Sequence, residues 1–245
     1  DGSQVAMTME VPVIMIYIRQ ISANYYGYVM SEYNAQNTGN NEYSPGVTEI
    51  NAFTSYMTMR NNYSGFYSSN NDYGPTTELE AIQVTATHEF FHAIQYGYDG
   101  REKPWLLEAT ATWIEEIVYD DINDCYQYMP SWFDSPHTSL DKTGGTHWYG
   151  SYIFFKYIDE HLGGPETIRL IFEKGVETNS EFVDYSHQAI SDGLEPVGSS
   201  FQDALNKMVI ANRVMSSNPG PNAEMYSYEE AVAYPVDGPV TYRTV

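Results

Sequence analysis

The chain has 245 residues, 42% of them hydrophobic, enough to bury one large domain or two subdomains sharing a cleft, which excludes a disordered chain. Eleven Lys and Arg against 33 Asp and Glu give a formal charge of −22, so the surface repels nucleic-acid phosphates and anionic lipid, and a polynucleotide partner is excluded. A single cysteine, Cys125, excludes an internal disulfide framework and a cysteine-rich metal site, and no apolar run approaches the ~20 residues that span a bilayer.

Along the chain, residues 11–18 form an apolar run of strand length, and 34–45 is an Asn/Gly/Ser-rich loop. Residues 47–60 combine Thr, Met and aromatics and stop at Asn61-Asn62, as a strand entering a turn does. After the break at Gly74-Pro75, Thr76 and Thr77 offer helix N-caps, Glu78 and Glu80 suit the positive end of the dipole, and helical spacing runs to about Tyr96. A polar connection over 97–104 leads to a second helix from Trp105 to about Tyr119, with Leu107, Ala111, Ile114 and Val118 as its apolar stripe. Further helices are predicted over 149–161, 165–174, 182–191 and 201–215, and strand-like pieces around Tyr234 and Val240. The expected architecture is α+β: an N-terminal β-rich subdomain (1–98) carrying the first long helix, a helical C-terminal subdomain (99–221), a cleft between them, and a tail (222–245) that docks or forms strands.

Within the first helix stands His88-Glu89-Phe90-Phe91-His92. Four residues of helix place both imidazoles on one face, one turn apart, where they can chelate a single ion. A catalytic zinc takes three protein ligands and leaves a position for water, and Glu89, beside the first imidazole, can take that water's proton. Two unpaired histidines buried among Phe90, Phe91 and Ile94 would be costly without such a partner. The third ligand must come from downstream. Gln95 and Tyr98 occupy the positions where a metzincin carries Gly and its third ligand, so that pattern fails, and Asp99 lies one residue late. Glu108, sixteen positions beyond His92 in Trp105-Leu106-Leu107-Glu108-Ala109-Thr110-Ala111, is the stronger candidate: the chain can reverse and present it from a second helix, with small residues at the contact.

These residues resemble the gluzincin zinc peptidases, to which thermolysin and aminopeptidase N belong, and more narrowly a family of secreted microbial metalloproteases. That family has a Thr-Ala-x-His-Glu-Phe-Phe-His-Ala-x-Gln run, matched here by Thr85 to Gln95, ahead of a Trp-x-x-Glu segment. The likeness extends over about residues 50–175 and departs at Ala109, where many relatives have Gly. It implies a zincin-like fold, His88, His92 and Glu108 as zinc ligands, Glu89 as general base, and hydrolysis of peptide or protein substrates outside the cell. A gluzincin also has a Tyr or His that stabilises the oxyanion, and here Tyr149 is the first candidate and His147 the second.

Around this core, Glu115 lies two turns beyond Glu108 and can orient a ligand histidine, with a solvated carboxylate as the alternative. Asp120, Asp121 and Asp124 offer oxygens for a structural calcium ion, set against a plain acidic turn. Residues 52–60 are expected to be the sheet edge to which an extended peptide adds. Trp105 and Trp113 are read as core, and His137, His161 and His187 as ordinary residues. An aminopeptidase and a non-catalytic zinc-containing binding module are the competing readings.

Overall fold

The computed structural model describes residues 14–22, 24–35, 48–70, 72–176, 186–215 and 223–240. Residues 11–13 of the first predicted strand, most of the 34–45 loop, and the 182–185 start of a predicted helix lie outside the described residues.

Three strands form one mixed sheet: β1 (Met15–Arg19), β2 (Gly27–Asn34) and β3 (Phe53–Arg60). Its order is β1-β3-β2, with β1 parallel to β3 (Met15 opposite Tyr56) and β2 antiparallel to it (Gly27 opposite Met59). The strand β2 has no counterpart among the sequence expectations. Only its first residues, Gly27 and Val29, are buried, so the alternation that marks a half-buried strand is absent from the rest.

Helix α1 (Glu78–Asp99) begins where the caps predict: Thr77 Oγ1 accepts the Glu80 N–H at 3.2 Å, and the Glu80 carboxylate reaches back to the Thr76 N–H at 2.7 Å. It runs about one turn beyond the expected end, through Gly97, to Asp99. Helix α2 (Pro104–Val118) starts with Pro at its first position, where the missing N–H costs nothing. Between them Gly100 crosses against Phe53, whose Cδ2 would lie 2.6 Å from any Cβ there, and its N–H donates to the Asn51 carbonyl at 2.9 Å. That crossing ties the α1–α2 turn to the sheet.

The remaining helices are α3 (Met129–Phe133), α4 (His147–Gly150), α5 (Tyr152–His161), α6 (Pro165–Gly175), α7 (Ser186–Leu194), α8 (Phe201–Val214) and α9 (Ala223–Tyr226). The single helix expected over 149–161 is broken at Ser151, whose hydroxyl donates to the Leu140 and His147 carbonyls. Among the described residues, no strand forms around Tyr234 or up to Val240. Tyr228, Ala231 and Tyr234 instead bury into the helical core, where no strand is available for pairing, and Tyr234 meets Tyr126 edge-on.

The fold is α+β with two hydrophobic cores. A small one joins the sheet to α1 through Val29, Met57, Met59, Tyr63 and Ala81. A large one, including Trp105, Trp113, Phe154, Phe155 and Ile158, is built by α2 and the later helices. Helix α1 belongs to both, turning Ala86 and Ala93 to the sheet side and Phe91 and Tyr98 to the helical side. Its central turn is thereby held from two directions. Among the described residues, no helix is long and apolar enough to cross a membrane.

Candidate metal centre

Helices α1 and α2 bring three side chains to one point. The rings of His88 and His92 meet edge-on with centroids 4.7 Å apart. Glu108 Oε2 lies 3.2 Å from His88 Nε2 and 3.6 Å from His92 Nε2. Three atoms each about 2.0–2.1 Å from a tetrahedral centre would stand ~3.3 Å apart, so this spacing accommodates a zinc ion.

The outer nitrogens of both rings are held by partners that leave each Nε2 directed at this point. His92 Nδ1 is 2.7 Å from Gln95 Oε1, and the Gln95 amide nitrogen donates to the Leu107 carbonyl at 2.9 Å and to Thr110 Oγ1 at 2.8 Å. A carbonyl only accepts, so the amide orientation is fixed, and with it the proton on His92 Nδ1. His88 Nδ1 in turn donates to Glu115 Oε1 at 2.5 Å. Each Nε2 therefore faces Glu108, where either the proton of an imidazolium or a bound cation can bridge nitrogen to carboxylate. Carboxylate and amide partners behind ligand histidines orient rings and raise ligand basicity in zinc sites.

The electrostatics express the same pairing. Burial opposes charge on His88, but Glu108 and Glu115 at its two nitrogens outweigh it and hold the imidazolium well above its ordinary pKa. Burial likewise raises Glu108, yet the two histidines dominate and keep it ionised far below the usual carboxylate range. Glu115 is raised by burial although His88 pulls the other way, so the two compete for one proton. We place that proton on His88 Nδ1, because Glu108 holds the ring positive from its other side.

A cavity of about 290 Å³ opens beside this point, with His88, Glu89 and Tyr149 in its wall. Glu89 is buried, and desolvation raises its pKa. The start of β2 closes tightly over it: a Cβ on Gly27 would come within 3.0 Å of Glu89 Cγ, Thr58 O and Thr85 Cγ2. Tyr149 stacks on Tyr128 with ring centroids 4.8 Å apart and stands 6.1 Å from the His88 ring. Burial and the neighbouring glutamates keep its phenol protonated far into the alkaline range.

Comparison with protein-family models, curated proteins and solved structures finds no match to this chain.

Several expectations are corrected by the geometry. His147 is not at the cavity: two residues before Tyr149 on a short helix, it points to the opposite side, packs tilted against Trp132 with centroids 4.5 Å apart and donates from Nε2 to the Ser139 carbonyl at 2.8 Å. Asp99 sits two turns beyond His92 and accepts the Arg101 N–H at 2.7 Å, out of reach of the histidines. Asp120, Asp121 and Asp124 do not converge on an ion, since Asp120 groups with Glu116 and Glu230 while Asp124 is buried in the cavity wall. The strand β3 is the centre of the sheet, hydrogen-bonded on both sides, and cannot take a peptide. Among the described strands its neighbour β2 has an outer edge, and residues Tyr25 to Gly27 leading into it line the cavity. Trp105 and Trp113 are core, as expected. Sequence reasoning noted Gln95 only at the failed metzincin position and in the family run, and Asp124 only as a calcium candidate, and assigned neither to this site. The one available signal was Gln95 falling one turn after His92.

Proposed function

We propose that the protein is a zincin-type, zinc-dependent endopeptidase acting outside the cell. His88, His92 and Glu108 are its metal ligands, Glu89 its general base and Tyr149 its oxyanion donor. The reading rests on one observation: two imidazole nitrogens and a carboxylate oxygen face one another at the spacing of ligands around one ion. The donor set of two histidines and a glutamate, backed by Glu115 and Gln95, suits zinc.

Zinc bound there supplies a Lewis acid for the scissile carbonyl and lowers the pKa of an adjacent water toward ~7. The chain's own groups do the rest. Glu89, its basicity raised by burial, accepts the proton of the attacking water and passes it to the leaving nitrogen. The Tyr149 phenol, protonated at neutral pH, donates to the oxygen that becomes negative. The outer edge of β2 offers main-chain groups to an extended substrate, which would run from Gly27 past the Glu89 carboxylate.

The test is metal analysis of the purified protein together with casein digestion before and after chelation. One bound zinc and activity lost to chelator and restored by zinc are expected. Glu89→Gln should retain fold and zinc while abolishing hydrolysis; undiminished activity would remove Glu89 from the mechanism and leave a zinc-stabilised binding module. Cleavage of an internally quenched peptide blocked at both ends distinguishes an endopeptidase from an aminopeptidase.

A further inference from the structure

The cavity beside the metal centre has a second chemical character. Besides His88, Glu89 and Tyr149, its wall contains Glu115 and Asp124, and among its described lining residues there is no Lys or Arg. Three carboxylates thus face one small space. Glu115 uses Oε1 on His88, but its Oε2 is buried with no hydrogen-bond partner, and the whole residue is only 6% exposed. Asp124 is 8% exposed. Carboxylate charge held out of water without a counter-charge is costly, and an orphaned oxygen costs its desolvation besides.

His88 offsets Glu115 at Oε1 alone, and no described Lys or Arg side chain lines the cavity. Lys156 is engaged by Glu116, Glu160 and Glu230, and the Arg60 guanidinium donates to the Tyr25 carbonyl and lies over the Phe66 ring, 3.7 Å from its centroid. Burial, helped by Glu115, raises Asp124 to about 8, so a cation beside it would favour its ionised form. Tyr25, Tyr26, Tyr128 and Tyr149 supply aromatic walls, which suit both an aliphatic stem and a cationic head. A formal charge of −22 draws cationic peptides toward the protein from a distance.

We propose that this cavity is a specificity pocket for a cationic group of the substrate, an ammonium or guanidinium next to the scissile bond, with Asp124 as its counter-charge and the Glu115 carboxylate behind it adding negative potential. The inference rests on the peptidase reading above and names its substrate class. The cation has two possible sources, a Lys or Arg side chain or a free α-amino group.

Internally quenched peptides carrying Arg, Lys, citrulline or norleucine at each position flanking one bond, with free or acetylated N-termini, test it on the zinc-loaded protein. Wild type should favour the cationic peptides in kcat/KM by at least ~30-fold, equivalent to about 2 kcal/mol. A preference that follows the side chain assigns the pocket to Lys or Arg; one that vanishes on acetylation assigns it to the α-amino group. Asp124→Asn should erase most of the preference at unchanged zinc content. Glu89-dependent cleavage with equal rates for Arg, citrulline and norleucine would overturn the pocket and leave the peptidase reading standing. If no peptide is cleaved, the peptidase reading fails, and calorimetric binding of lysine amide against norleucine amide decides the pocket alone. Selective binding of lysine amide, weakened in Asp124→Asn, would support it, and equal binding would overturn it.

Discussion

Gln95 gives the sharpest test of the metal centre, because one amide performs two separable tasks. Through Oε1 it fixes the His92 tautomer, and through its nitrogen it ties α1 to the Leu107 carbonyl and Thr110 hydroxyl of α2. Replacement by Leu keeps the volume and removes three hydrogen bonds. At ~1 kcal/mol net each this is a loss of roughly 3 kcal/mol, of which about 1 kcal/mol is offset by the more apolar side chain. A metal-free stability loss of about 2 kcal/mol is therefore expected, read from urea unfolding in chelator. Zinc affinity should fall separately by about 10–100-fold, because His92 without its acceptor populates both tautomers. Competition against a chromophoric chelator measures this. The Gln95→Glu variant restores an acceptor for Nδ1 but not the donors to α2, so its zinc affinity should stand closer to wild type while its stability stays low. Zinc affinity in Gln95→Leu within threefold of wild type would refute the tautomer argument.

Other outcomes follow from single contacts. Tyr149→Phe should lower kcat by about 10²–10³-fold with zinc content unchanged, as measured by single-turnover hydrolysis. Gly27→Ala forces a methyl against Glu89, Thr58 and Thr85 at 3.0 Å, so a loss of roughly 1–3 kcal/mol in urea unfolding and a drop in activity are expected. At the far end of α2, burial and then Glu230 raise Glu116 to about 9, while Glu116 and Lys156 hold Glu230 below its ordinary value against its own burial. The pair thus keeps one proton, on Glu116, that the unfolded chain releases near 4.5. Stability from this group is complete below that pH and falls as pH climbs toward about 9. Urea midpoints between pH ~5 and ~9 should accordingly decline in wild type and decline less in Glu116→Gln, with a residual slope from Asp124, which has the same sign.

What could be read from the sequence is what depends on local period and spacing. The four-residue interval of His88 and His92, the seven-residue interval of Glu108 and Glu115, and the Thr77 cap are properties of helices, and the helices are there. A sixteen-residue separation between His92 and Glu108 is enough for one tight reversal, which Gly100 allows by passing against Phe53. Helical phase also decides between Tyr149 and His147: two positions apart on one turn, they face opposite ways, and only one of them can reach the cavity.

The remaining features depend on tertiary burial, which no local pattern encodes. An acidic turn over 120–124 looks solvated because three of its residues are aspartate, yet Asp124 is the one that α2 and the start of β2 enclose. The strand β2 lacks alternation because most of it is an exposed edge, and its functional end is marked only by a glycine whose need for space comes from Glu89, sixty-two positions away. Gln95 resembles any polar residue on a long helix until its two ends are seen to meet a histidine that needs an acceptor and a carbonyl that needs a donor. Tautomer, and with it the direction of the His92 lone pair, is thus set by a backbone oxygen on the neighbouring helix. A metal site of this kind is specified by the contact between α1 and α2 as much as by the ligands, so substitutions at that contact should alter metal affinity without touching any atom that would bind the ion.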